Sequence, residues 1–238
     1  MNVQCIILAR GGSKGILQKN IKDFSGKPLL AWTIEQCLDA KSVTDVWVSS
    51  DDQQILDVAN ASGARLIKRP DNISSDEATS ESGWLHAIKK LELNGIDIDA
   101  VLAPQVTSPV RGPKDIDLAI EKFRIEKLDS LFSSTIAEDL YFWEKSIDGV
   151  MNSINYDYKN RERRQHFQKQ IIENGSFYLF KPEILRAECN RLGGKIGHYE
   201  MECWKMFEID NPDDWSFVEL IFRKYLLSSN YSETIKNN

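Results

Sequence analysis

A layered α/β domain built on a mainly parallel sheet is predicted by three features of this chain. Apolar runs rich in β-branched residues alternate with stretches of helical periodicity as far as residue 133. The first run, Val3 to Ala9, is almost continuously apolar, which is the pattern of a strand buried on both faces. The chain has 238 residues, 42% hydrophobic and 28% charged, enough for one sizeable core. Strands regularly separated by helices are joined by right-handed crossovers, so they lie parallel, with helices in layers on both faces.

The elements follow in order. Val3 to Ala9 reads as a strand that ends at Arg10-Gly11-Gly12. Leu29, Leu30, Trp32, Ile34 and Leu38 fall on one side of a helix. Val46 to Val48 is a second strand, stopping at Ser49-Ser50-Asp51-Asp52, and Gln53 to Ala61 is a helix that Gly63 ends. Ala64 to Ile67 is the third strand, Ser80 to Leu93 a helix, and Ala100 to Ala103 the fourth strand. Pro113 sits at a first-turn position of a helix running to Glu126, and Ser130 to Ser133 is another strand. The rhythm breaks near Ala137. Residues 140–172 are aromatic and then basic, and read as an excursion from the sheet. Ser176 to Phe180 and Ile196 to Met201 resume strands, and Trp215 to Leu227 has the spacing of a terminal helix. Residues 1–228 thus form one domain, with 229–238 a frayed tail.

Composition excludes several classes. The net charge of −6 leaves no broad basic field for nucleic acid, and the six tryptophans are too dispersed for a stacking platform. Cys5, Cys37, Cys189 and Cys203 are scattered without a CxxC pair, as free thiols in a reducing cytosol are. No run approaches the roughly 20 apolar residues of a membrane helix, and no cleavage site follows the first strand. A soluble, cytoplasmic protein without a membrane partner is expected. The three histidines form no ligand set, and G-x-S-x-G and H-E-x-x-H are absent.

Ligands of such sheets bind outside the carboxyl ends of the strands, so the polar segments there come first. After the first strand stands Arg10-Gly11-Gly12-Ser13-Lys14-Gly15, with Lys19-Asn20 beyond. Its glycines permit a tight turn that presents N–H groups to an anion, and three cations lie within ten residues. No Walker sequence is present; the alternatives are a phosphate loop of another type or an ordinary solvated turn. Glu208 and Asp210 are two residues apart, so on an extended strand both face one side and offer a hard-oxygen site for Mg2+. The alternative is a helix start, for which Asp210-Asn211-Pro212 is also suited.

These segments resemble the acylneuraminate cytidylyltransferases, the CMP-sialic acid synthetase family. ARGGSKGI with Lys19-Asn20 is similar to the nucleotide signature of that family, with Leu17 in place of a proline. Lys68-Arg69-Pro70, Ser74-Ser75-Asp76 and Thr79-Ser80 resemble its RP…SD…S segment, and Gln105 to Pro109 with Arg111 its QPTSPLR, Val106 replacing a proline. Arg161 to Gln165, Asn174-Gly175 with Tyr178, and Phe207 to Asp210 complete a series in the same order along nearly the whole chain. The stretches ENGSFY and Gly193 to Met201 look especially similar to the catalytic half of the animal enzymes; no counterpart of their phosphatase-like domain is expected in these residues.

The resemblance implies a nucleotide-diphospho-sugar-transferase-like fold and transfer of CMP from CTP to an acid sugar. It assigns Arg10, Ser13, Lys14, Lys19 and Asn20 to the triphosphate, with Arg10, Lys14, Lys19 and Asp210 as the catalytic set. Arg69 and Ser80 fall beside the cytidine, although a serine there also suits a helix cap. Gln105, Thr107, Ser108, Arg164, Asn174 and Tyr178 would hold the acceptor, Arg164 clamping its carboxylate. Asp210 matches the metal aspartate; Glu208 replaces one, and ligates directly or through water. Mg2+, or Mn2+ in its place, is the implied cofactor. The implied partners are CTP, an acid sugar and a second copy of the chain, joined through 140–172, with Arg161 and Arg164 acting across the dimer. Sialic acid is the first acceptor; KDN, legionaminic, pseudaminic and eight-carbon ulosonic acids stay open. A non-catalytic nucleotide-sugar-binding protein is the rival reading.

Overall fold

The computed structural model describes residues 1–13, 15–75, 77–137, 140–161 and 169–228. Its centre is a seven-stranded sheet of β1 (Val3–Leu8), β4 (Asp45–Ser50), β5 (Arg65–Lys68), β6 (Ala100–Pro104), β7 (Ser130–Ala137), β10 (Gln170–Phe180) and β11 (Ile196–Glu200). The spatial order is β11-β7-β10-β6-β1-β4-β5. β1 lies between β4 and β6 and is parallel to both, β4 to β5 and β7 to β11; β10 alone runs antiparallel to its neighbours β6 and β7. Two short ribbons stand apart, β2 (Asp23–Phe24) with β3 (Lys27–Pro28), and β8 (Trp143–Lys145) with β9 (Met151–Ser153).

Side chains of a strand alternate between faces, and here they divide the core in two. Val3, Cys5 and Ile7 of β1 join one cluster with α1 (Leu29–Leu38), α2 (Gln53–Ala61), α4 (Pro113–Ile125) and α6 (Pro212–Phe222). Ile6 joins the other, with α3 (Ser80–Leu93) and α5 (Pro182–Glu188). The three-layer arrangement results from this division, and β1 is buried on both faces as its sequence requires. Even Gln4 is fully buried, its Oε1 accepting from Trp47 Nε1 at 2.7 Å. Among the described residues no helix is long and apolar enough to cross a membrane. All four cysteines are free, Cys5 and Cys37 in the core.

Several boundaries differ from expectation. β10 begins at Gln170, so the excursion returns to the sheet before residue 172. Its first half is half exposed and polar, which hides it from an apolar-run criterion. The ribbon β8–β9 and the seven-residue α5 are too short to show a period. α6 starts at Pro212, because Asn211 caps it by accepting from the Asp213 and Asp214 amides, and it runs into a π-turn at Arg223–Leu227. The expected tail, 229–238, lies outside the described residues.

The single reversed strand brings two distant segments together. Because β10 is antiparallel to β6, the start of its β6-paired half, Phe177–Phe180, meets the carboxyl end of β6: Phe177 pairs with Pro104, and the Gln105 amide donates to the Ser176 carbonyl at 3.0 Å. The ladder between β10 and β7 is irregular between Glu173 and Tyr178, where Gly175 takes a φ of +67°. Such a bulge turns side chains out of the ladder. It is placed where Asn174 and Gly175 meet Gln105.

Candidate active site

The loops after β1, β5 and β6 surround a cavity of about 530 Å3, lined by Arg10, Ser13, Gly15, Lys19, Asn20, Arg69, Ser80, Gln105, Thr107 and Asp210. The glycine-rich loop is pressed against the acidic segment from the far end of the chain. A Cβ on Gly15 would lie 2.2 Å from the Asp210 carbonyl oxygen, so no larger residue fits without moving one of the two. A turn of 3-10 helix, Lys19–Ile21, then presents Lys19. Its Nζ donates to the Ile209 carbonyl at 2.8 Å and stands 3.5 Å from Asp210 Oδ1. Asn20 is buried and its Nδ2 donates to the Arg10 carbonyl at 3.0 Å, which braces the loop from beneath.

At the opposite wall Arg69 is almost wholly buried. Its Nε donates to Ser74 Oγ at 3.0 Å, and Nη2 stands 3.5 Å from Asp51. Burial lowers the affinity of this guanidinium for its proton, and the Asp51 charge opposes that shift. Ser80 is exposed to the cavity and is the first residue of α3. The cap is Thr79, whose hydroxyl accepts from the Ser82 amide at 3.2 Å, so the helix-cap reading of Ser80 is set aside.

A second cavity of about 410 Å3 adjoins the first and shares Gln105 with it; Glu173, Asn174, Gly175, Tyr178 and Glu208 line it. Tyr178 donates its phenol proton to Glu173 Oε1 at 2.5 Å; burial first, and then this bond, hold the phenol well above its ordinary range. Asn174 is buried: its Oδ1 accepts from the Ser176 amide at 3.2 Å and its Nδ2 faces Met201 Sδ at 3.4 Å, so it shapes the bulge.

Glu208 and Asp210 are not on a strand. Residues 206–210 belong to no ladder, and the Ile209 amide donates to the Thr107 carbonyl at 2.8 Å. Instead of sharing one strand face, the two carboxylates line adjoining cavities, Asp210 the first and Glu208 the second. Desolvation by the cleft and then the Asp210 charge raise the Glu208 carboxyl above its usual value, against Lys19 and a hydrogen bond from Ser108. The segment is anchored upstream by Lys205, whose buried ammonium donates to both Asp115 oxygens at 2.8 and 2.9 Å. Asn211, not Asp210, caps α6, and the Asp210 side chain stays 70% exposed.

Among the described residues no group of three metal-ligating side chains exists. Two carboxylates with a lysine fit a hard cation that fills its other positions with water and substrate phosphates, as Mg2+ does. They do not fit a closed protein cage such as structural zinc requires.

The family model described as cytidylyltransferase matches residues 4–228. The chain belongs to this family. It is 36% identical over 221 residues to N-acylneuraminate cytidylyltransferase A of Danio rerio, covering 92% of this chain and 50% of that protein. It therefore spans about half the length of that relative. It is 34% identical over 225 residues to a pseudaminic acid cytidylyltransferase of Campylobacter jejuni, covering 92% and 95%. It is also 32% identical over 240 residues to the CMP-N,N'-diacetyllegionaminic acid synthase of Legionella pneumophila, covering 92% and 95%. In structure it is similar to the CMP:2-keto-3-deoxy-manno-octonic acid synthetase complexed with CTP, with a TM-score of 0.72 at 17% identity, covering 95% and 100%. That likeness concerns the fold.

Of the residues that the resemblance assigns, the fold brings Arg10, Ser13, Lys19, Asn20, Arg69, Ser80, Gln105, Thr107 and Asp210 to one cavity, and Asn174, Tyr178 and Glu208 to the next. Ser108 is buried behind them. Lys14 and Arg164 lie outside the described residues, so their assigned roles stay expectations. Two further residues have roles that the sequence does not reveal. Arg111 is fully buried, and its Nη1 donates to the carbonyls of Gln105 at 3.0 Å, Ser176 at 3.2 Å and Ser108, while Nη2 donates to Thr33 Oγ1 at 3.0 Å. The motif resemblance includes it but assigns it no function. Arg191 also lines the first cavity; it follows α5, an element whose brevity gives no signal.

Proposed function

We propose that this protein transfers CMP from CTP to the anomeric hydroxyl of a sialic-acid-like acid sugar and releases pyrophosphate. The observation that carries the reading is the pair of adjoining cavities joined at Gln105, with Lys19 and Asp210 at the first and Glu208 at the second. The larger takes the nucleotide, its triphosphate against the Arg10–Gly15 loop and Lys19, its base toward Arg69 and Ser80. The smaller takes the sugar. As the acceptor oxygen bonds to the α-phosphorus, the hydroxyl loses its proton and the bond to the leaving pyrophosphate breaks. Negative charge on the pyrophosphate then grows beside Lys19, where preorganised donors are worth most. Asp210, with Glu208 directly or through water, would hold Mg2+ (or Mn2+), which when bound neutralises phosphate charge. Dimerisation through the β8–β9 region is part of the proposal. Phe142, Trp143, Ile147, Val150, Met151 and Ile154 are exposed there, an apolar patch suited to a partner copy, and a cytoplasmic location agrees with the free thiols.

The test is pyrophosphate release from CTP and Mg2+ with sialic acid, KDN, legionaminic, pseudaminic and eight-carbon acids in turn. Turnover on at least one acid, silenced by a chelator and restored by Mg2+, is the expected result. Binding of CTP with no release on any acid would favour the nucleotide-sugar-binding protein instead. Gly15→Ala is expected to weaken CTP binding roughly tenfold or more in titration calorimetry, since overpacking of about 1–3 kcal/mol falls on the loop itself. Wild-type affinity in that variant would show that the contact between Gly15 and Asp210 does not shape the phosphate site.

A further inference from the structure

The acids in the similar proteins' names range from N-acylated and N,N'-diacetylated to one named without an acyl group, and one cation of the first cavity has no part in the proposed transfer. Arg191 reaches into the first cavity from the loop after α5. Its guanidinium is held between two rings, 4.8 Å from the centroid of Trp84 and 4.7 Å from that of Tyr178. Its Nε donates to Glu81 Oε1 at 2.9 Å, and the side chain is 23% exposed. The Nη atoms donate to no described residue. A cation fixed by two ring faces and one carboxylate has lost its rotamer freedom before any ligand arrives, so its remaining N–H groups are preorganised donors.

Position and charge select what these donors meet. Arg191 lines the first cavity, and the Tyr178 ring it packs on lines the second, so its guanidinium stands where the two cavities meet. Its charge is already balanced by Glu81, which removes the need for a second anion. Neutral oxygen is the partner that suits the open N–H edge, and the rings beside it offer an apolar surface for a short alkyl group. An amide carbonyl with its methyl presents both.

We infer that Arg191 is a specificity-determining residue of the acceptor site, reading an acylamino substituent of the sugar through its carbonyl oxygen. The inference rests on the proposed cytidylyl transfer. A site built to hydrogen-bond one substituent discriminates against the analogue that lacks it, because its own donors are then left unpaired.

The experiment compares kcat/KM for the acid that is turned over best with that for its counterpart carrying a hydroxyl in place of the acylamino group. Wild type, Arg191→Met and Arg191→Lys are assayed, with melting temperatures to establish folding. Arg191→Met keeps an apolar stem against the rings, and the preference for the acylated acid is expected to fall roughly 10–100-fold, with KM for CTP unchanged. Arg191→Lys, with a point charge in place of a fork, is expected to recover part of the preference. Unchanged selectivity in a folded Arg191→Met, a rise confined to the KM for CTP, or a best acceptor without an acylamino group would each overturn the inference while leaving the transfer reading intact. Silence of the wild type on every acid would instead sink the transfer reading, and this inference with it.

Discussion

Replacing Asp210 by Asn is expected to lower kcat about 1,000-fold in the pyrophosphate-release assay, with the fold retained. The substitution keeps the shape of the side chain and removes its charge. Because Asn211 forms the cap of α6 and Asp214 accepts from the Asp210 amide, the helix start survives. What is lost is the carboxylate through which the chain would hold a divalent cation against the triphosphate. Charge stabilisation of that kind is worth several kcal/mol, and about 4 kcal/mol corresponds to three orders of magnitude. Lys19 makes the effect specific: its Nζ is fixed on the Ile209 carbonyl and keeps that position when Asp210 is neutralised. The Mg2+ concentration for half-maximal activity should rise in the same variant. A kcat within tenfold of wild type at saturating Mg2+ would remove Asp210 from the proposed chemistry.

The frame was legible because its signals are local. Val3 to Leu8 announces a strand buried on both faces, and Gln53 to Ala61 and Ser80 to Leu93 carry complete helical faces between clear stops. The glycine loop and the acidic segment were also readable, one by its punctuation and the other by its charge spacing. The conformation of the acidic segment was not. Two-residue spacing suits a strand, but a strand needs a neighbour, and among the described residues Phe207 to Asp210 makes a single backbone-to-backbone bond, from Ile209 to Thr107. The junction of the two cavities was hidden for a different reason. It depends on β10 running against β6, and direction in a sheet is decided by long-range pairing that no short motif encodes. Arg191 is invisible in the sequence on the same ground: Glu81, Trp84 and Tyr178 meet it only after the sheet has formed.

Arg111 leads to the second large effect, on stability. Arg111→Met is expected to destabilise the protein by about 3 kcal/mol in urea, and to lower the melting temperature by roughly 6–12 °C. The guanidinium is fully buried, and burial makes it a weaker base than an ordinary arginine. It is kept by what it binds: the carbonyls of Gln105, Ser108 and Ser176 on one nitrogen and Thr33 on the other. Two of these acceptors keep a second donor after the substitution, since the Ser108 amide serves Gln105 and the Gln105 amide serves Ser176. The Ser108 carbonyl has no such substitute among the described residues and would be stranded in the core, at about 1–3 kcal/mol. Loss of the other bonds adds to that, and release of a desolvated charge offsets part of it. Arg111→Lys keeps the charge, but a single ammonium cannot span Thr33 on α1 and the carbonyls of Gln105, Ser108 and Ser176, so it should fall between the two. Gln105, at the head of the loop to Ser108, lines both cavities, so the KM of the acceptor should rise in step with the stability loss. Stability within about 0.5 kcal/mol of wild type in Arg111→Met would mean that packing alone holds the loop.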